Sequence, residues 1–153
     1  MIVVRCTDAD RRALAGIDID PAEMIDDGTN YSGLKITKPW GYEEEVYRDQ
    51  NSSTWRLHID AHKETSLHCH PNKTTTLIIL AGLATLSTLN GKHEMGGGSV
   101  VMIESGAFHR TSSNGGPVVL YEIEFPANKN DLVRLYDSYG RRQGYEKPNR
   151  KNA

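Results

Sequence analysis

His68 and His70 stand one residue apart in a run of β-favouring residues, and His109 follows later in the chain. Side chains alternate faces along a strand, so His68 and His70 project together while Cys69 points the other way. Two imidazoles so placed can share one metal ion, and an antiparallel barrel can bring His109 beside them. Three neutral nitrogen ligands with open positions describe a catalytic transition-metal centre, for Zn, Fe, Ni, Mn or Cu, more than a closed structural site. By spacing alone an HxH pair is equally compatible with exposed or core-bonded histidines. His58, His62 and His93 are read as bystanders, His93 because it follows a hairpin turn.

The elements that must hold these residues are short. After Asn30 the chain consists of β-favouring runs separated by turn residues, the pattern of an all-β sandwich or barrel. Strands are expected at residues 42–47, 54–60, 74–80, 83–89, 99–103 and 118–125, with Asn90-Gly91 as a two-residue hairpin turn. In the segment 54–60, Trp55, Leu57 and Ile59 alternate with polar residues, which predicts one buried face. Leu132, Val133, Leu135 and Tyr136 suit a short helix or a packed extended segment. The first thirty residues are acidic, with room for a strand over 1–6 and a brief helix from Asp8 that ends near Gly16. The organisation expected is an acidic extension at 1–30, a barrel at 31–142 and a polar tail at 143–153.

The 153 residues carry a net charge of -2 and only two cysteines, so neither a nucleic-acid partner nor a disulfide framework is expected. No apolar run is long enough to span a membrane and no secretory signal is evident, so a cytoplasmic protein is expected.

From Glu64 to Ser113 the sequence resembles the two motifs of the cupin superfamily, which implies an antiparallel cupin β-barrel, or jelly roll, with a metal in its mouth. His68-Cys69-His70 and Gly82 match the first motif; Gly98, Gly106 and His109 match the second. Four positions depart: His62 replaces a glycine, Thr75 the glutamate ligand, Glu104 a proline and Ser113 an asparagine. A closer resemblance, over residues 36 to 142, is to the cupin domain of type II phosphomannose isomerases. It rests on Lys38-Pro39-Trp40-Gly41, Ser66-Leu67-His68-Cys69-His70, His109-Arg110, Asp131-Leu132-Val133-Arg134 and Asp137-Ser138-Tyr139-Gly140-Arg141. In that family glutamine, histidine, glutamate and histidine hold the metal. Carried over by position, His68 takes the place of the glutamine, His70 and His109 match, and Thr75 stands where the glutamate would be.

The resemblance implies one divalent transition metal and a small-molecule substrate, a sugar or sugar phosphate, with aldose–ketose isomerase or epimerase chemistry. Such chemistry needs a base, and the loss of the glutamate ligand removes one candidate. Glu122 and Glu104 are the substitutes. Alternation nevertheless places Val119, Tyr121, Ile123 and Phe125 on the core face of their strand, which would turn Glu122 and Glu124 outward. Arg56, Lys73, Arg110 and Arg134 are the candidates for binding an anionic substrate group. A three-histidine non-haem iron dioxygenase and a non-catalytic carbohydrate-binding cupin are the competing functions. The need to cover sheet edges points to a homodimer.

Overall fold

The computed structural model describes residues 1–141 and 143. Among these residues twelve strands, one α-helix and one short 3-10 helix follow in the order β1 (Ile2–Val4), α1 (Asp8–Ala15), the 3-10 helix (Pro21–Met24), β2 (Lys35–Lys38), β3 (Gly41–Arg48), β4 (Ser53–Ile59), β5 (Leu67–Cys69), β6 (Thr74–Ala81), β7 (Ala84–Thr88), β8 (Gly91–Met95), β9 (Val100–Ile103), β10 (His109–Ser113), β11 (Val118–Phe125) and β12 (Val133–Tyr136). They form a seven-stranded sheet ordered β1-β9-β6-β11-β4-β3-β2 and a five-stranded sheet ordered β12-β5-β10-β7-β8. Every pairing is antiparallel except β1 with β9. Two sheets folded face to face in this way make the expected all-β jelly roll. No helix among the described residues is long and apolar enough to cross a membrane.

Alternation makes the core. Ser53, Trp55, Leu57 and Ile59 of β4 are buried while Thr54, Arg56 and His58 between them are half-exposed. β6 repeats the pattern with Thr75, Leu77 and Ile79. Strand β11 reverses the expectation drawn from its sequence. Leu120 pairs with Leu57, Glu122 with Trp55 and Leu77, and Glu124 with Ser53 and Thr75. Cross-strand neighbours share a face, so both glutamates point inward and Val119, Tyr121 and Ile123 lie on the outer face. Hydrophobic alternation misreads this strand because its inward acids are matched by buried lysines from elsewhere.

Gly82 makes the corner where the chain leaves the large sheet after β6 and enters the small one at β7. Its φ is 92°, and a Cβ there would sit 2.4 Å from the Pro117 carbonyl oxygen, so no other residue fits. The β7–β8 hairpin pairs Thr88 with Gly91, which makes Leu89-Asn90 the turn; the expectation of Asn90-Gly91 was displaced by one residue. β12 decides the alternatives for residues 132–136 in favour of an extended segment.

The acidic lead-in folds back over its own chain. Thr7 and Asp10 form a reciprocal cap on α1, whose apolar residues Ala13 and Leu14 pack with Ile17 and Ile19 on Cys69 and Val133 of the small sheet and on Phe108 just before β10. Asp10 is 2% exposed and accepts the Phe108 N–H at 3.0 Å. Further on, the side chains of Asn128 and Asn130 donate to the carbonyls of Met24 and Ile25, each at 2.8 Å. The tail beyond Gln143 lies outside the described residues.

Candidate metal centre and cavity

The small sheet builds the histidine cluster. His68 on β5 is directly opposite His109 on β10, and His70 follows just past the end of β5. Ring centroids are 4.6 Å apart for His68–His109, 5.0 Å for His68–His70 and 5.4 Å for His70–His109. One ring nitrogen from each lies within 4.8 Å of the other two. Cys69 points to the opposite face, where burial pushes its thiol up to about 12.

Backbone carbonyls orient all three rings. Nδ1 of His68 meets the Ser66 carbonyl at 2.8 Å, that of His70 the Asp131 carbonyl at 2.7 Å, and that of His109 the Ala107 carbonyl at 2.9 Å. A carbonyl only accepts, so each Nδ1 carries the proton and each Nε2 presents a lone pair. Nε2 of His70 is buried without a hydrogen-bond partner. An orphaned lone pair in such a place is costly unless an electrophile meets it, and this donor set fits a divalent transition metal. Burial lowers the basicity of the rings, His109 to about 4 and His68 and His70 well below the usual value, which keeps them neutral and able to ligate. Thr75 is 1% exposed, with Oγ1 also unpartnered.

The cluster opens into a cavity that is open to solvent, lined in part by Lys38, Trp40, Glu43, Lys73, Glu122, Lys129, Arg134 and Arg141. Lys73 sits between Glu124, whose carboxylate it meets in a buried ion pair, and the Asn128 carbonyl at 2.8 Å. Glu124 also accepts the Trp55 indole N–H at 3.3 Å. Burial raises the Glu122 carboxyl above the ordinary carboxylate range, while Lys129 and Lys73 oppose the rise. Lys129 is pulled down by burial, but Glu43, Glu124 and Glu122 around it outweigh that and hold it firmly protonated.

Among the residues singled out from sequence, the structure brings His68, His70, Lys73, Glu122 and Arg134 to this cavity, with His109 against the other two histidines. The rest point elsewhere. Glu104 accepts the Cys6 N–H at 2.7 Å and so ties the lead-in strand to the loop before His109. Arg56 lies on the outer face of the large sheet, paired with Glu44 at 2.6 Å. Strand alternation turns Arg110 away from His109, towards the Thr65 carbonyl, Glu64 and the ring of Tyr136. His58 stacks on Tyr42. Lys38, Trp40 and Arg141 were visible only as members of motifs, and Glu43 and Lys129 carried no signal in the sequence.

No family model matches the chain. No curated protein matches its sequence. Solved structures do. An uncharacterized conserved protein with a double-stranded β-helix domain from Klebsiella pneumoniae matches 79% of this chain over 97% of its own, with a TM-score of 0.56 at 18% identity. KdgF from Halomonas sp. matches 68% of the chain over 94% of its own, with a TM-score of 0.56 at 12% identity. A sugar phosphate isomerase from a cupin superfamily of Silicibacter pomeroyi matches 63% over 65%, with a TM-score of 0.54 at 14% identity. At these identities the likeness shows the fold, a cupin double-stranded β-helix.

Proposed function

We propose that this chain is a metal-dependent enzyme acting on a small anionic sugar derivative, a sugar phosphate in the first instance, by aldose–ketose isomerisation or epimerisation. One observation carries the reading. The three oriented imidazoles open into a cavity lined by Lys38, Lys73, Lys129, Arg134 and Arg141, against only Glu43 and Glu122. With Glu124 answering Lys73 and Asp137 answering Arg141, five cations still outnumber four carboxylates, an excess that suits an anionic substrate group, and the two arginines offer the forked geometry that phosphate accepts. Arg141 is held for such a contact by Asp137, at 2.9 Å and 3.0 Å. The neighbour named as a sugar phosphate isomerase agrees with this choice of substrate class.

His68, His70 and His109 would hold the ion, which when bound supplies electrophilic polarisation of a substrate oxygen, undiminished by any anionic ligand. The remaining chemistry falls to the chain's own side chains. Glu122, with its raised pKa, takes a proton from the carbon beside the carbonyl and returns it to the neighbouring carbon. Trp40 and Leu57 give the cavity an apolar wall that strengthens each polar contact inside.

Protein reconstituted with Zn, Mn, Ni or Fe(II) and incubated with hexose phosphates in deuterated water should wash label into the carbon next to the carbonyl. Absence of exchange with every phosphate and metal would overturn the reading. The absence of a carboxylate from the ligand set supports a second one, a three-histidine iron dioxygenase, for which Fe(II)-dependent oxygen uptake is the test. Tight sugar binding with neither exchange nor oxygen uptake would mark a binding module. The assembly we infer is a homodimer, because among the described residues β1, β2 and β8 end the sheets with no further strand beside them, whereas the Gln143 side chain already meets the Arg134 backbone on β12; sedimentation at a monomer's mass would refute it.

A further inference from the structure

We propose that Lys38 is the acid partner of Glu122, exchanging a proton with the substrate oxygens while Glu122 handles the proton on carbon. The proposal rests on the isomerase reading above and adds a residue to it.

The placement of Lys38 is rigid. It ends β2, and the turn that follows is pinned at Gly41, where a Cβ would lie 1.9 Å from the His58 carbonyl oxygen. The Trp40 carbonyl in the same turn accepts the Asp60 N–H at 2.8 Å. The Lys38 side chain is only 8% exposed and lines the same cavity as His68, His70 and Glu122. Glu43 lies beside two of the buried lysines. Its Oε1 is 3.7 Å from the Lys38 amine and its Oε2 is 3.5 Å from the Lys129 amine.

The charged groups facing Lys38 come from several elements. Glu43 on β3 favours its proton; Lys129 before β12, Arg134 on β12 and Arg141 beyond it all disfavour it. The two lysines that share Glu43 consequently diverge. Lys129 lies 3.9 Å over the Trp55 ring with Glu43, Glu122 and Glu124 around it, and stays charged. Lys38, in the more cationic half of the cavity, is brought by burial down to about 8, where an amine can both give and accept a proton near neutral pH. Two groups in one cavity whose affinities for protons are driven towards each other, Glu122 upward and Lys38 downward, are the natural acid–base pair.

The step balances without any co-reactant. Glu122 removes the proton from carbon as the Lys38 ammonium donates one to the carbonyl oxygen, leaving an enediol, a neutral Lys38 and a protonated Glu122. Lys38 then takes the proton of the other hydroxyl as Glu122 delivers its own to the adjacent carbon, and both groups return to their starting states.

Two measurements test this on the intact chain. Competitive acylation with acetic anhydride across pH 6 to 11, read by peptide mass spectrometry, should give Lys38 a midpoint near 8, whereas ordinary lysines titrate at about 10.4. In Lys38→Arg, which keeps the charge but cannot release the proton, exchange in deuterated water should fall on the order of 10²-fold with KM held, and the alkaline limb of the rate profile should vanish. A Lys38 midpoint with the other lysines, or an unchanged rate and profile in the variant, overturns the proposal and leaves the isomerase reading intact. No exchange by the wild-type protein overturns both.

Discussion

The Nδ1 of His70 lies 2.7 Å from the carbonyl oxygen of Asp131, 61 residues further along the chain. The same Asp131 accepts the Asn72 backbone N–H at 2.9 Å and its side-chain amide at 3.0 Å through the two carboxylate oxygens. One residue thus fixes both the imidazole and the turn just after it. Asp131→Ala keeps the carbonyl that orients His70 but frees the Asn72 turn from the carboxylate, so metal binding should weaken by less than the roughly 10–100-fold that loss of an outer hydrogen bond to a ligand costs. Chelator competition measures this, with circular dichroism as the check that the fold persists.

Acid should destabilise the metal-free protein through the same cluster. His109 titrates near 6.5 when unfolded and near 4 when folded, and His68 and His70 shift in the same direction. Because the folded pKa is depressed, the unfolded chain binds the proton first. The contribution is complete above pH 6.5 and is lost as pH falls towards 4. For His109 alone the loss is about 3 kcal/mol. Urea unfolding of apo-protein at pH 7 and at pH 4.5 should differ accordingly, and His109→Ala should flatten the dependence.

Lys73 and Glu124, 2% and 0% exposed in their side chains, form a pair that cannot be broken on one side without consequence. Lys73→Met should cost about 3–5 kcal/mol by stranding the carboxylate, and Lys73→Met with Glu124→Leu should restore at least half of that. Denaturant midpoints of the single and double variants decide it.

Thr75→Glu should supply the carboxylate that the resembled metal sites have at this position. The expected outcome is tighter metal binding, by about tenfold or more, together with lower stability of the metal-free protein, where the new carboxylate is buried without a counter-charge. Calorimetric titration and thermal melts with and without metal read the two effects separately.

Strand positions and the histidine triple were legible in the sequence because both depend on local information. Period-two alternation placed β4, a β-favouring run closed by a turn placed β6, and the spacing of His68 and His70 put them on one face. β11 was misjudged because the direction of its glutamates is set by Lys73 and Lys129, which come from other parts of the chain and leave no periodic trace. Lys38 and Arg141 could be found only through motif resemblance, and Lys129 owes its place to the loop between β11 and β12. Arg56 and Arg110 failed as cavity residues for a simpler reason: a suitable charge says nothing of which side of a strand it occupies.

The amino-terminal segment grips the chain at Phe108, beside one histidine ligand, and at Asn128 and Asn130, which flank the cavity lysine Lys129 and lead directly to Asp131. If the three histidines hold an ion whose binding differs between the docked and the loosened segment, the two equilibria are linked, and such a coupling is reciprocal. Ion binding would then tighten the segment's hold by the same factor as the docked segment tightens the ion's, and an amino-terminal tag that pries the segment loose would register as weakened metal affinity at a site it never touches.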